Sequence, residues 1–303
     1  MVKHFSLVKM SYMKNMWGTG LVGLVLGLFG VWILYINTDN SQQGLGSGAM
    51  FDEIAPYYDS ANKFMSLNLD QSWRRVLVDE LGLGQLRDRN LEELNILDIA
   101  SGTGDVAIMI ASDLRRLGLD STASIVAFDP SSRMLSFAQT KVEAANLSSL
   151  VSIQVGNAEQ LSDLTKAGKQ FDAVTISFGI RNFADRSKAL VAIRQVLKSC
   201  VSSRVAILEF ATPRTGLLAP VVRLFLNFAV PVLGTLVAGR AHAAEYAHLR
   251  DSILKFPHPD DFLSVMGNAG LRDCQSRNVF VEVVWLFSCK GFEGSAGEIS
   301  GSQ

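Results

Sequence analysis

The chain predicts an α/β fold built on a doubly wound, mostly parallel sheet of seven strands, one of them antiparallel. Three observations carry this expectation. Short apolar runs alternate with longer amphipathic stretches between residues 51 and 290, the pattern of strands joined by crossover helices. The run Asn95-Ile-Leu-Asp-Ile-Ala100 breaks into Ser101-Gly102-Thr103-Gly104-Asp105 and resumes as Val106-Ala107-Ile108-Met109-Ile110-Ala111, which reads as strand, tight glycine turn and helix. The last two apolar runs, at 276–281 and 283–289, follow each other without a helix between them, so an antiparallel hairpin closes the sheet.

The other strands fall at 95–100, 124–129, 151–155, 171–178 and 204–210. The turn after the first of them is a ligand cradle. A side chain at Gly102 or Gly104 would hold the backbone off a ligand, and such turns often require positive φ. Asp98, Gly102 and Gly104 are therefore assigned to cofactor binding. The spacing Gly102-x-Gly104-x-x-Ala107 also fits the dinucleotide fingerprint, so the turn by itself names no cofactor.

Asp129 ends the second strand, Ser124-Ile-Val-Ala-Phe-Asp129, twenty-five residues after Gly104. There it is in place to accept hydrogen bonds from two ribose hydroxyls, a diol that NAD and S-adenosylmethionine both present. As Asp-Pro before a helical pattern, it also fits the cap of the helix that starts at Ser131. Asn157-Ala158 follows the third strand, where an amide and a small residue border an adenine; an asparagine in a loop is also an ordinary turn residue.

Composition bounds the function. A chain of 303 residues with 48% hydrophobic content, 19% charged residues and a net charge of −1 buries a full core and offers no electrostatic footprint for nucleic acid. Cys200, Cys274 and Cys289 lack the close pairing of a zinc site and read as buried or incidental thiols. His4, His242, His248 and His258 show no metal-ligand spacing, and no metal is expected.

The N-terminus reads as three segments. Residues 1–16 are basic, with Lys3, Lys9 and Lys14 and no acid. Residues 17–36 read as a transmembrane anchor: Gly18 to Ile36 is nineteen residues without a charge, long enough to cross ~30 Å of hydrocarbon at ~1.5 Å per residue. Trp17, Trp32 and Tyr35 lie near its ends, where interfacial aromatics belong. A cleaved secretory signal is the alternative, although its apolar core is usually only ~7–15 residues. Residues 37–50 read as a flexible linker rich in Ser, Gln and Gly, the folded domain spans 51–290, and 291–303 forms a polar tail.

Four segments carry a family resemblance: Ala55-Pro-Tyr-Tyr-Asp59 with Asn62, Met65-Ser66 and Trp73-Arg74-Arg75; Leu97 to Asp105; Ile176-Ser-Phe-Gly-Ile-Arg-Asn-Phe183; and Leu208-Glu-Phe-Ala-Thr-Pro213. Together they resemble the UbiE-like C-methyltransferases of ubiquinone and menaquinone biosynthesis, from about Phe51 to Lys290. The resemblance implies a class I methyltransferase fold and S-adenosyl-L-methionine as cofactor, with contacts at Thr103, Asp129, Asn157, Ala158 and Ser177. It implies methyl transfer to a ring carbon of a polyprenylated benzoquinol, with a naphthoquinol as the alternative substrate. Arg181 is assigned to stabilising a phenolate, and Asn182 and Tyr58 to orienting the ring. The nearly apolar segment 216–239, within a lid read at 211–256, would wall an isoprenoid tail. A quinone-biosynthesis complex or a homodimer would be the protein partner, and the mitochondrial inner membrane, or another organelle membrane, the location. The chain departs from the family at Lys198-Ser199-Cys200-Val201, where Lys-Pro-Gly-Gly is usual, so that turn must be built differently. The rivals are an NAD-dependent oxidoreductase, which leaves Ser177 to Asn182 without a role, and a non-catalytic methyltransferase-like scaffold.

Overall fold

The run Leu94-Asn-Ile-Leu-Asp-Ile99 forms the central strand β1, because its alternate side chains are apolar on both faces and both faces are covered. Leu94 and Ile96 enter one core cluster, with Leu77 and Val78, while Leu97 and Ile99 enter the other, with Ile193 and Phe262. The computed structural model describes residues 48–86, 93–161, 164, 168–200, 202–212, 220, 248 and 251–290. The anchor read at 17–36, most of the lid read at 211–256 and the tail at 291–303 lie outside the described residues. Among the described residues no helix is long and apolar enough to cross a membrane.

Helices α1 (Ala49–Met65), α2 (Asp70–Glu80) and α3 (Leu83–Leu86) precede β1. There follow α4 (Asp105–Leu117), β2 (Ala123–Asp129), α5 (Ser132–Ala144), β3 (Val151–Val155), β4 (Ala173–Ser177), a 3₁₀ turn at Ile180–Asn182, α6 (Arg186–Val196) and β5 (Arg204–Phe210). The last described elements are α7 (Pro259–Asn268), β6 (Arg272–Phe280) and β7 (Val284–Lys290). The sheet has seven strands in the order β3-β2-β1-β4-β5-β7-β6. The first five pair in parallel, and β7 runs antiparallel to both β5 and β6. From β1 the chain winds outward to β2 and β3, then returns to the other side of β1 for β4 and β5. The crevice outside the carboxyl ends of β1 and β4 is therefore the topological switch point, where open α/β sheets bind ligands.

Helix α1 begins at Ala49, near the read start of the folded domain, capped by Gly48 at φ 77°, and a Cβ at Gly48 would stand 2.7 Å from the Ser131 nitrogen. Two expectations are corrected. Strand β6 begins at Arg272 rather than 276, because its first residues are polar and largely exposed on the sheet edge and present no apolar run. Cys274 and Cys289 are not incidental thiols; they form a disulfide across β6 and β7, fifteen residues apart in sequence but brought together by the hairpin.

The atypical turn after α6 is built from side chains. The Ser203 hydroxyl donates to the Lys198 carbonyl at 2.6 Å, the Ser203 N–H donates to the Cys200 carbonyl at 3.0 Å, and Lys198 Nζ pairs with Asp172 at 2.7 Å.

Candidate active site

The two strands that flank the switch point end alike. Ala100, after β1, has φ 54°, and Phe178, after β4, has φ 55°. Left-handed backbone at residues that carry a side chain costs roughly 1–3 kcal/mol and persists only where the surroundings enforce it. Phe178 is held by a stacked contact with Phe210, ring centroids 4.5 Å apart, and by Trp73 edge-on at 6.2 Å. These reversals turn the chain into loops 101–104 and 179–183, whose residues Gly102, Gly179, Asn182 and Phe183 line one cleft.

The cleft encloses about 820 Å³ of space, open solvent included. Loop ends of β1 to β4 form its floor, and Met50, Phe51 and Tyr58 of α1 roof it. Seven of the residues assigned from sequence line it: Tyr58, Gly102, Asp129, Asn157, Ala158, Ser177 and Asn182.

Asp129 holds two positions at once. Its Oδ2 accepts from the Gly102 N–H at 2.9 Å and its Oδ1 from the Ser131 N–H at 2.8 Å, so it ties the glycine turn to the start of α5. Each oxygen keeps a further acceptor site for a hydroxyl. The cap reading is corrected: the N-cap of α5 is Ser131, whose Oγ accepts from the Met134 N–H at 3.0 Å, and Asp129 holds that cap in place from outside the helix. Burial pushes its carboxyl up to about 6, against the two N–H bonds, with the nearby Asp52 charge adding to the rise. Ser177 Oγ is buried without a hydrogen-bond partner while the residue lines the cleft, which marks a place for a ligand polar atom. Gly102, at φ 55°, would put a Cβ into open space, as a cradle requires. Asn157 Oδ1 accepts from the Glu159 N–H at 2.8 Å, so it also shapes the turn it sits on.

Four assigned residues lie elsewhere. Asp98 is buried beneath the turn, where the Ser101 and Thr175 hydroxyls each donate to it at 2.7 Å; burial pushes its carboxyl to about 6, so it braces the loop from below. Gly104 packs helix on helix, since a Cβ there would stand 3.0 Å from Ala138 Cβ. The Thr103 hydroxyl donates to Asp59 at 2.7 Å and accepts from Lys141 at 2.9 Å, and the residue does not line the cleft. Arg181, assigned to meet a phenolate directly, turns its guanidinium inward: Nη1 donates to Glu209 at 2.7 Å and to the Phe178 carbonyl at 2.5 Å. Glu209 is fully buried, and a buried carboxylate draws the Arg181 guanidinium away from the cleft.

Thr103 belongs to a charge network that latches the roof to the cradle. Lys141 of α5 pairs with Asp59 of α1 at 2.6 Å and with Asp105 of α4 at 2.8 Å. Burial would raise Asp105, but Arg74 and Lys141 outweigh it and hold the carboxyl below its ordinary value. Arg74 in turn pairs with Asp70.

Sequence reasoning missed several lining residues. Gly156 carried a signal, a glycine directly after a strand and before Asn157; Met134, Glu159 and His248 carried none, because their approach to the cleft depends on how helices and loops pack.

The sheet order, the acidic residue ending β2, the glycine turn and the unpartnered Ser177 hydroxyl together fit one cofactor. The protein is a class I S-adenosylmethionine-dependent methyltransferase. Solved structures agree on the fold: the plantazolicin methyltransferase BpumL in complex with SAH aligns at TM-score 0.54, with 12% identity, over 82% of this chain and 94% of that one. A putative S-adenosyl-L-methionine-dependent methyltransferase from Methanococcus maripaludis aligns at 0.53, with 15% identity, over 86% and 100%. The chain belongs to the ubiE/COQ5 methyltransferase family, whose profile matches residues 38–288. It is 35% identical over 239 residues, 79% of its length and 93% of the relative's, to the ubiquinone/menaquinone biosynthesis C-methyltransferase UbiE of Geotalea daltonii. It is 38% identical over 221 residues, 73% and 90% of the two chains, to the demethylmenaquinone methyltransferase of Thermus thermophilus.

Proposed function

We propose that this chain methylates a ring carbon of a polyprenylated benzoquinol, of the 2-methoxy-6-polyprenyl-1,4-benzoquinol type, in ubiquinone biosynthesis. The observation that carries the reading is membership of the ubiE/COQ5 family across 38–288, with relatives named for ubiquinone and menaquinone biosynthesis. S-adenosylmethionine supplies an electrophilic methyl group. The chain's residues do the rest: Asp129, Asn157, Ala158 and Ser177 hold the cofactor, Tyr58 and Asn182 orient the quinol ring beside it, and Phe51 and Phe183 give that ring an apolar wall. Arg181 acts at one remove. Through Glu209 and the Phe178 carbonyl it fixes the strained loop that presents Ser177 and Asn182.

Relatives named demethylmenaquinone methyltransferase favour a second reading, a naphthoquinol substrate on the same site. Offering the purified protein labelled S-adenosylmethionine with a demethyl benzoquinol and a demethyl naphthoquinol, each short-tailed, decides between them. Label in the benzoquinol alone is the expected result; label in neither overturns both readings.

The proposal also places the chain at the mitochondrial inner membrane through residues 17–36, working in a quinone-biosynthesis complex or as a homodimer. The uncharged run and its flanking aromatics support the membrane part. Carbonate extraction of the full chain into the supernatant would overturn it.

A further inference from the structure

Methyl transfer to a quinol carbon requires a proton acceptor, because the ring carbon becomes nucleophilic when the hydroxyl ortho or para to it loses its proton. Four titratable side chains line the cleft among the described residues: Tyr58, Asp129, Glu159 and His248. Two are already engaged. Asp129 accepts from two loop N–H groups and faces the ribose, and Glu159 Oε1 accepts from the Asp185 N–H at 3.0 Å. Tyr58 carries the phenolic hydroxyl assigned above to orienting the ring. His248 is half-buried on the cleft wall with Asn182 and Phe183, and its ring has no hydrogen-bond partner among the described residues.

We propose that His248 is the general base that takes the quinol hydroxyl proton, an inference that rests on the quinol-methyltransferase reading above. The charges around the ring suit the role. Burial, then the Arg181 guanidinium, then Lys255, lower its pKa, and Asp251 alone works against them, so the imidazole is held unprotonated at neutral pH with a ring nitrogen open to accept. Arg181, though paired with Glu209, thus keeps a part in catalysis by holding His248 unprotonated. In the step itself, the hydroxyl proton moves to the free imidazole nitrogen and its bonding pair stays on oxygen. The ring carbon forms the new carbon–carbon bond while the pair from the broken carbon–sulfur bond stays on sulfur. Water then takes the ring-carbon proton and the imidazolium returns its own to the oxygen, so one proton is released per methyl transferred.

The test compares wild type with His248→Gln, using the demethyl quinol that the wild type methylates. At saturating cofactor and quinol, kcat should fall on the order of 10²- to 10⁴-fold, S-adenosylhomocysteine affinity should stay within about threefold, and external imidazole should restore part of the rate to His248→Ala. The wild-type kcat should decline below its histidine pKa as pH falls, because the protonated ring accepts nothing, and the variant should lose that limb. A second measurement needs no active variant: in wild type saturated with S-adenosylhomocysteine, adding the quinol should shift the His248 ring nitrogen resonances. Unchanged kcat in the variant, or no shift on quinol binding, overturns the proposal and leaves the functional reading standing. A wild type that binds S-adenosylhomocysteine yet methylates no quinol overturns the functional reading, and the proposal with it.

Discussion

Arg181 and Glu209 form a closed pair behind the cleft: the guanidinium donates to Oε1 at 2.7 Å and the Arg181 backbone N–H to Oε2 at 3.2 Å, with side-chain exposures of 5% and 0%. Removing one member of such a pair leaves a buried charge uncompensated, which typically costs about 3–5 kcal/mol. Glu209→Ala is therefore expected to lower unfolding stability by that amount in urea titration, and Arg181→Lys to recover only part of an Arg181→Met loss, since it restores a charge but not the planar guanidinium that lies 5.6 Å over the Phe210 ring. A Glu209→Ala protein of wild-type stability would show that the pair is not closed in solution.

Two glycines of one turn should fail differently. A Cβ at Gly102, which lines the cleft, meets nothing within 4 Å, whereas at Gly104, φ 83°, it stands 3.0 Å from Ala138 Cβ. Both substitutions carry the left-handed penalty of roughly 1–2 kcal/mol. Gly102→Ala should add a loss of S-adenosylmethionine affinity of about tenfold or more, as the backbone is held off the ligand. Gly104→Ala should lose the greater share of stability and leave affinity within a few-fold. Calorimetric binding and thermal unfolding of the two variants, measured together, decide the matter; equal patterns would refute the separate roles.

Lys141 reaches three elements, pairing with Asp59 on α1 and Asp105 on α4 from its place on α5. Lys141→Met keeps the stem and removes the charge. The global cost should be modest, roughly 1 kcal/mol, because the site is about one-third exposed and solvent screens it. The local effect should be larger: α1 carries the cleft roof at Met50, Phe51 and Tyr58, and loosening it should speed amide exchange across Ala49–Met65 and raise the cofactor dissociation rate. Exchange confined to wild-type rates along α1 would show that Asp52, which accepts from Ser131 Oγ at 2.6 Å and Arg133 N at 3.0 Å, holds the helix alone.

The parts of this molecule that were legible in the sequence share a physical origin. Strands β1, β2, β4 and β5 are largely buried from both sides, so they appear as apolar runs, and a run that ends in Asp129 or Ser177 places that residue at the ligand edge. Side-chain direction is another matter. Arg181 follows its strand as a phenolate-binding residue would, yet Glu209 lies 28 residues away on a neighbouring strand and captures it. Thr103 sits inside the glycine turn but is claimed by Asp59, 44 residues earlier. The first residues of β6 are an edge segment with polar side chains, which no periodicity separates from a loop. His248 is one of four histidines with no motif around it, and only its position on the cleft wall distinguishes it.

The last prediction concerns pH. Burial raises Asp129 from 3.8 to about 6, and Asp98 likewise. In the unliganded protein a carboxyl raised above its unfolded value contributes stability that is fully present below about pH 4 and is lost as pH rises through about 6. Unliganded Tm should therefore fall over that window as far as these two groups control it. Cofactor binding has the opposite sign, because a ribose diol donates hydrogen bonds and needs the ionised carboxylate as acceptor. Below about pH 6 Asp129 must lose a proton before it can bind, so affinity for S-adenosylhomocysteine should rise with pH from 5 to 7, by up to tenfold per unit, and level off above. The gap between liganded and unliganded Tm should widen over the same range. Asp129→Asn should flatten this dependence and weaken binding at pH 7.5 by roughly 1–3 kcal/mol, the worth of a hydrogen bond to a charged group, whereas the Asp98 contribution to unliganded stability should persist in the variant. Calorimetry across pH on wild type and Asp129→Asn measures both, and a wild-type affinity that is flat from pH 5 to 7 would remove Asp129 from the ribose.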